Sequence, residues 1–193
     1  MSIVAKRRFF LLVLAQMTLV CVSGFAEDKG AYKDDRYHFQ ISIPGPWKEA
    51  PVSNYKVPGT VRAAWAGKGN SSIVAFVQEP GQAFTPRFLL DASAKAMETQ
   101  LGAKVLEKEV RKIAGKQAMW LSFEAKGTGG AIVPNGEILT TQHWVAIPRE
   151  TDIVVLLLTC RSEDYQGIEK GFSEALKDLK VEGEQTAEQA SSK

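Results

Sequence analysis

The chain has 193 residues, 45% of them hydrophobic and 24% charged, with 16 Gly, 8 Pro and 2 Cys. That balance excludes a disordered chain, a collagen-like repeat and a disulfide scaffold, and the length suits one domain. The formal net charge of +2 comes without a basic block in the body of the chain, so nothing electrostatic draws it to nucleic acid or anionic lipid.

Lys6, Arg7 and Arg8 open the chain with no acidic residue nearby, and the stretch from Phe9 to Val22 is apolar apart from Gln16 and Thr18. Gly24-Phe25-Ala26 follows, and the chain turns polar at Glu27. A basic start, a short apolar run and a small-x-small exit make residues 1–26 a secretory signal peptide, with cleavage expected between Ala26 and Glu27. As a helix the apolar run reaches about 21 Å, short of the roughly 30 Å hydrocarbon core, so no stable membrane anchor is expected after cleavage. The segment takes Lys6, Arg7 and Arg8 from the 24 basic residues and none of the 22 acidic ones, leaving a net charge of −1. Cys21 leaves with it, and Cys160 alone cannot form an intramolecular disulfide. The expected location is periplasmic or extracellular.

Residues 27–36 are charged and aperiodic and read as a solvated lead-in, and residues 182–193 read as a disordered tail. Between them one domain, about residues 32–181, is expected. Tyr37, Phe39, Ile41 and Ile43 alternate with polar residues, the period of a strand with one buried face. The strand stops at Pro44-Gly45-Pro46, and Trp47 follows. Stretches 61–66 and 72–78 read as strands joined at Gly67-Lys68-Gly69-Asn70.

A helix is then expected with Thr85 as its cap, Pro86 at its first position and Gly102 at its end. Leu90, Ala94, Met97 and Leu101 form its apolar stripe, with Asp91, Lys95 and Glu98 on another side. Four extended segments follow, at about 104–113, 117–126, 137–147 and 152–160. The first carries charge on both faces, as an edge strand does. The second puts Met119, Leu121, Phe123 and Ala125 on one side, and Pro134-Asn135-Gly136 signals a turn before the third. The fourth is apolar on both faces and belongs at the centre of a covered sheet. A closing helix starts at Ser162, buries Ile168, Phe172, Ala175 and Leu179, and carries Gly167 and Gly171, for which close approach to the sheet is the expected compensation. The expectation is an α+β fold, a single domain with an antiparallel β-sheet of six or seven strands sandwiched between helices.

The segment Tyr37-His38-Phe39-Gln40-Ile41-Ser42-Ile43-Pro44-Gly45-Pro46-Trp47 resembles the opening Tyr-x-Phe-x-hydrophobic-x-hydrophobic-Pro-x-x-Trp of PsbP-like proteins. The element order over residues 32–181 is similar to theirs as well. The resemblance implies a protein without catalytic machinery that acts by binding, as members do to a photosystem, a small GTPase or envelope partners. The metal-linked residues of photosystem members find no match here, and a plain secretory signal replaces a two-part thylakoid targeting sequence. The exported bacterial branch is the nearest likeness.

Candidate chemistry is thin. His38, His143 and Cys160 have no metal-ligand spacing, and Asp34-Asp35 beside His38 reads as a solvated acidic pair, so no metal is expected. His143 with a serine and an acid, or with Cys160, would make a nucleophilic set, but no Gly-x-Ser-x-Gly elbow is present. Cys160 at the end of an apolar strand reads as a small buried thiol. His143 reads as a hydrogen-bonded sheet residue. Gly127-Thr128-Gly129-Gly130 precedes a strand rather than a helix, so it reads as a hairpin connection and not a phosphate cradle. Trp120 and Trp144 each lie opposite the most apolar side of their own strand, and both are expected to pack beneath a helix on the sheet's second face.

The functional expectation is an exported, non-enzymatic binding or assembly module of the cell envelope that recognises a protein partner and needs no cofactor. The alternatives are a carrier holding a small apolar ligand between sheet and helix and, behind it, a hydrolase using His143.

Overall fold

The computed structural model describes residues 31–126 and 138–183. The predicted signal peptide with its Ala26–Glu27 junction, the Gly127–Gly130 connection, the Pro134–Gly136 turn and the tail beyond Gly183 lie outside the described residues. Among the described residues, ten strands form two sheets and two α-helices pack against them. In chain order they are β1 (Ala31–Asp34), β2 (Phe39–Ser42), β3 (Lys48–Glu49), β4 (Thr60–Ala66), β5 (Ser72–Gln78), α1 (Pro86–Leu101), β6 (Lys104–Ile113), β7 (Lys116–Lys126), β8 (Leu139–Pro148), β9 (Ile153–Arg161), α2 (Tyr165–Lys177) and β10 (Lys180–Val181). The large sheet has seven antiparallel strands in the order β3-β4-β5-β9-β8-β7-β6, and a small sheet runs β1-β2-β10. This is the α+β sandwich the sequence predicts, with β9 at the centre of the large sheet and β6 at its edge.

Strand alternation divides the core into two layers. Ile73, Ala75 and Val77 of β5 and Val154, Leu156 and Leu158 of β9 face α2 and the small sheet. Val74 and Phe76 of β5 and Ile153, Val155 and Leu157 of β9 face α1. The period of two in β9 places apolar side chains on both faces because both are covered. The two layers are covered unequally. On one face α2 and the small sheet act together, Phe39 and Ile41 packing beside Phe172, Ala175 and Leu179. On the other, α1 lies over β6, β7 and β8. A helix roughly 10 Å across spans about two strands spaced about 4.8 Å apart, so α1 lies mainly on β6 and β7, reaches β8 and the Ile153–Val155 end of β9 with its edge, and does not extend over the rest of β9, β5 and β4. That part of the sheet is flanked instead by the chain around a 3₁₀ turn at Val52–Asn54.

Helix α1 keeps the predicted punctuation: the Thr85 hydroxyl accepts from the Phe88 N–H, Pro86 starts the helix, and Gly102 ends it at φ 59°. Leu90 and Ala94 are buried and Met97 half-buried, but Leu101 is 47% exposed, because the helix ends beyond the sheet surface its stripe follows. The closing helix begins with a 3₁₀ turn at Ser162–Asp164 before α2 proper. The expected close approach of Gly167 and Gly171 to the sheet does not occur: Gly167 faces open space, and the nearest neighbour of Gly171 is the Trp47 indole at 4.0 Å. Tight glycines stand elsewhere: a Cβ at Gly67 would lie 2.6 Å from the Trp47 ring that closes the β2–β3 connection, and one at Gly59 would lie 2.5 Å from the Val77 carbonyl oxygen.

Three features correct the sequence reading. Residues 31–34 are not solvated lead-in but strand β1, paired with β2 from Ala31↔Ser42 to Asp34↔Phe39. Asp34 is buried, and its carboxylate accepts from the Tyr32 hydroxyl (2.9 Å), the Arg36 and Tyr37 N–H groups (3.0 and 2.9 Å) and Arg62 Nε (2.6 Å). A bulge between Val61 and Ala63 carries Arg62 to it. Burial alone would raise the Asp34 pKa; the hydrogen bonds from Arg62, Tyr37 and Tyr32 outweigh it and hold the carboxyl below its usual value. Glu182 is likewise not part of a frayed tail, since its N–H donates to the His38 carbonyl at 2.9 Å, just after β10 pairs with β2. Finally, Arg149 and Asp152 in the β8–β9 turn form a buried bidentate pair, Nε–Oδ1 2.6 Å and Nη2–Oδ2 2.7 Å. Arg149 Nη1 also donates to the Tyr37 carbonyl (2.8 Å) and the Glu182 carbonyl (2.9 Å). One side chain thereby ties the turn to the start of β2 and the end of β10.

Candidate functional site

His143 lies on β8 beneath α2 and is 0% exposed. Its Nδ1 is 3.1 Å from the Tyr165 hydroxyl, and the Trp120 ring packs perpendicular to it at 4.0 Å between centroids. Phe172 of α2 completes the enclosure at 5.4 Å between ring centroids. Ser122 stands directly across from His143 on β7, with its hydroxyl near that of Tyr165. Polar groups do converge around His143, as a hydrolase requires, but among the described residues no serine hydroxyl or carboxylate bonds to the ring. Burial, with a smaller push from the Arg111 charge, lowers the His143 pKa to about 3. The imidazole is therefore neutral, and its enclosure keeps substrate from it. Trp120 is sealed from above by Arg111, whose guanidinium sits 3.8 Å over the ring, while the indole N–H donates to Glu107 at 2.7 Å.

Cys160 closes β9 as a buried thiol, with Sγ 3.9 Å from the Thr141 carbonyl. Burial, aided by the Asp164 charge, pushes its pKa up to about 12. A thiol with so little thiolate is a poor nucleophile. The folded protein is accordingly expected to resist iodoacetamide at neutral pH and to take one label per chain at Cys160 once denatured, as intact-mass measurement of the form cleaved after Ala26 reads directly.

The face carrying α1 is different, because it is open. Phe84 and Phe88 stack at 5.2 Å and 7° at the start of α1, and Phe88 is 55% exposed. Beside them an apolar groove of about 290 Å³ runs between α1 and the sheet, with Leu89 and Met97 on one wall and Met119, Trp144 and Val155 on the other. Where α1 no longer reaches, a second cleft of about 710 Å³ opens between residues 54–57 and strands β5, β9 and β8. Ser72, Thr159 and Gln142 lie in one row across its floor, since Ser72 pairs with Thr159 and Thr159 with Gln142. The next row in the same cleft is apolar, Val74 and Leu157.

The two tryptophans fall on opposite faces of the sheet, which corrects the expectation that they share one. The reason is register: Trp120 pairs with Val145 and Leu121 with Trp144, so a tryptophan on each strand points the other way. Trp144 is half-buried, contacts Phe76 edge-on at 6.1 Å, and its indole N–H donates to Gln142 Oε1 at 3.0 Å. Sequence reading did not select Ser72, Thr159 or Gln142, because only the ladder aligns them. Among the described residues no group of three or more His, Cys, Asp or Glu is placed to hold a metal ion, and no helix is long and apolar enough to cross a membrane.

No family model and no curated protein sequence matches the chain. Among solved structures, the chain is similar to cyanobacterial PsbP (CyanoP) from Synechocystis sp. PCC 6803, with a TM-score of 0.53 and 13% identity over 79% of this chain and 91% of that one. It is also similar to LpqN of Mycobacterium tuberculosis, described as involved in cell envelope biogenesis, with a TM-score of 0.50 and 14% identity over 83% of this chain and 96% of that one. The fold is PsbP-like, as the opening motif led us to expect. At these identities the likeness concerns architecture, and function has to be argued from the site.

Proposed function

We propose that the protein is an exported, non-enzymatic binding module of the cell envelope that recognises a protein partner through the end of the sandwich where α1 begins. The observation that carries this reading is the stacked Phe84–Phe88 pair, with Phe88 more than half exposed beside an open apolar groove. A rigid aromatic pair held in solvent is the kind of anchor on which binding energy concentrates at protein interfaces. The signal-like start of the chain supports export, and the described role of LpqN in cell envelope biogenesis is in keeping with it. The enclosure of His143 and the high pKa of Cys160 speak against catalysis by either. The carrier alternative draws support from the groove of about 290 Å³. That space is open along its length and at the lower end of ligand-pocket size, which favours the partner reading.

The test is native mass spectrometry of the protein from its own cell envelope, combined with a photo-crosslinker placed beside Phe88. The expected mass begins at Glu27, with a crosslinked envelope protein whose yield falls about tenfold in a Phe88→Ser chain of unchanged melting temperature. Retention of residues 1–26 in a cytosolic species defeats the export argument. A stoichiometric small apolar adduct, with crosslinking unaffected by Phe88→Ser, replaces this reading with the carrier.

A further inference from the structure

We propose that the larger cleft is a binding site for a neutral carbohydrate of roughly two to three sugar units, held by the row Gln142–Thr159–Ser72 against the apolar strip Val74–Leu157. The site begins with a fixed donor. An indole N–H can only donate, so the Gln142 amide oxygen faces Trp144 and the amide NH₂ is the group presented to the cleft. Beside it, the Thr159 and Ser72 hydroxyls stand on adjacent strands with no protein hydrogen-bond partner among the described residues, each able to donate and accept. Tyr55 provides an aromatic wall from the flanking chain.

This combination selects one ligand chemistry. Lys56 is the single charged side chain lining the cleft among the described residues, so the site is not organised around an anion or a cation. An apolar ligand would cover three polar side chains without pairing them, which disfavours it. A peptide would need a free strand edge for its main chain, but β5, β9 and β8 each have neighbours on both sides. A sugar offers hydroxyls around its rim for the amide and hydroxyl row, and C–H faces for Tyr55, Val74 and Leu157. Trp144 is a positioning residue here, acting on the ligand through Gln142. The site stands apart from the Phe84–Phe88 pair and does not rest on the protein-partner reading.

The experiment is calorimetric titration of the chain beginning at Glu27 with maltotriose, cellotriose and chitotriose. At least one is expected to saturate the protein below about 10 mM. Gln142→Leu weakens that binding by about tenfold or more, and the near-isosteric Thr159→Val by about threefold, with melting temperatures unchanged. Trp144→Phe keeps a ring but loses the donor; it weakens binding while freeing the Gln142 side-chain amide, seen as broadening or shift of its NH₂ resonances. Phe88→Ser leaves sugar binding untouched, so failure here and failure of the partner reading are distinguishable. No saturation by any of the three sugars, equal binding by the Gln142 and Thr159 variants, or binding abolished by high salt overturns the proposal.

Discussion

Removing the Asp152 carboxylate by Asp152→Ala costs the fold about 3–5 kcal/mol, and Arg149→Ala costs as much or more. The magnitude follows from burial. Each oxygen of Asp152 takes one Arg149 nitrogen at 2.6–2.7 Å, so deleting either partner strands a charge in a site that water does not solvate. Arg149→Ala also leaves the Tyr37 and Glu182 carbonyls without their donor. For a domain of this size the loss reads as a fall in melting temperature of roughly 10 °C. Removing both charges in Arg149→Leu/Asp152→Leu costs less than the sum of the single changes, by about 2 kcal/mol, because neither charge is then left alone. A double-mutant cycle by chemical denaturation checks this, and additivity of the two changes contradicts it. Hydrogen exchange adds a local signature: in Arg149→Ala the Val181 and Glu182 amides lose protection before those of β9. The pair is the clasp that holds one end of the small sheet, where β2 begins and β10 finishes, onto the large one, and hence keeps β2 and β10 over the core.

That clasp was invisible in the sequence, and the reason is general to this chain. What could be read was local. Thr85-Pro86 and Gly102 mark the ends of α1 by backbone chemistry that needs no tertiary partner. The alternation of Tyr37 to Ile43 and the doubly apolar β9 report burial directly. What could not be read depends on pairing across the fold. The charged stretch at Ala31–Asp34 is a strand because β2 supplies its ladder and Arg62 neutralises Asp34 from 28 residues away. Trp120 and Trp144 part to opposite faces through a register that neither strand encodes alone. The row Ser72–Thr159–Gln142 joins three strands, and each member by itself is an ordinary polar residue in an apolar run. The place of a binding surface was the least legible of all, since the open face is defined by where α1 stops covering the sheet.

Acid is expected to loosen the opposite face, through His143. In the folded protein this imidazole stays neutral down to about pH 3, whereas in the unfolded chain it titrates near 6.5. Between those values the unfolded state binds a proton that the folded state refuses, so unfolding is favoured progressively as pH falls. The stabilising contribution is complete above the unfolded pKa and is lost on the way down towards the folded one. Between about pH 7.5 and pH 4.5 the loss amounts to about 2.5 kcal/mol, or roughly 5–10 °C in melting temperature. His143→Gln removes this slope: it costs about 1 kcal/mol at neutral pH through the altered contact with Tyr165, and its melting temperature then changes little over the same interval. Parallel melting curves for the two chains across that range contradict the assignment and require the folded imidazole to accept a proton. The structural consequence of acid is specific as well. A protonated His143 demands solvent, and the elements that seal it are Trp120 below Arg111 on one side and Tyr165 and Phe172 of α2 on the other. Because Arg111 lies beside the ring as a fixed positive charge, the route of least resistance is displacement of α2, which exposes Phe172 while the α1 face and its two clefts remain in place.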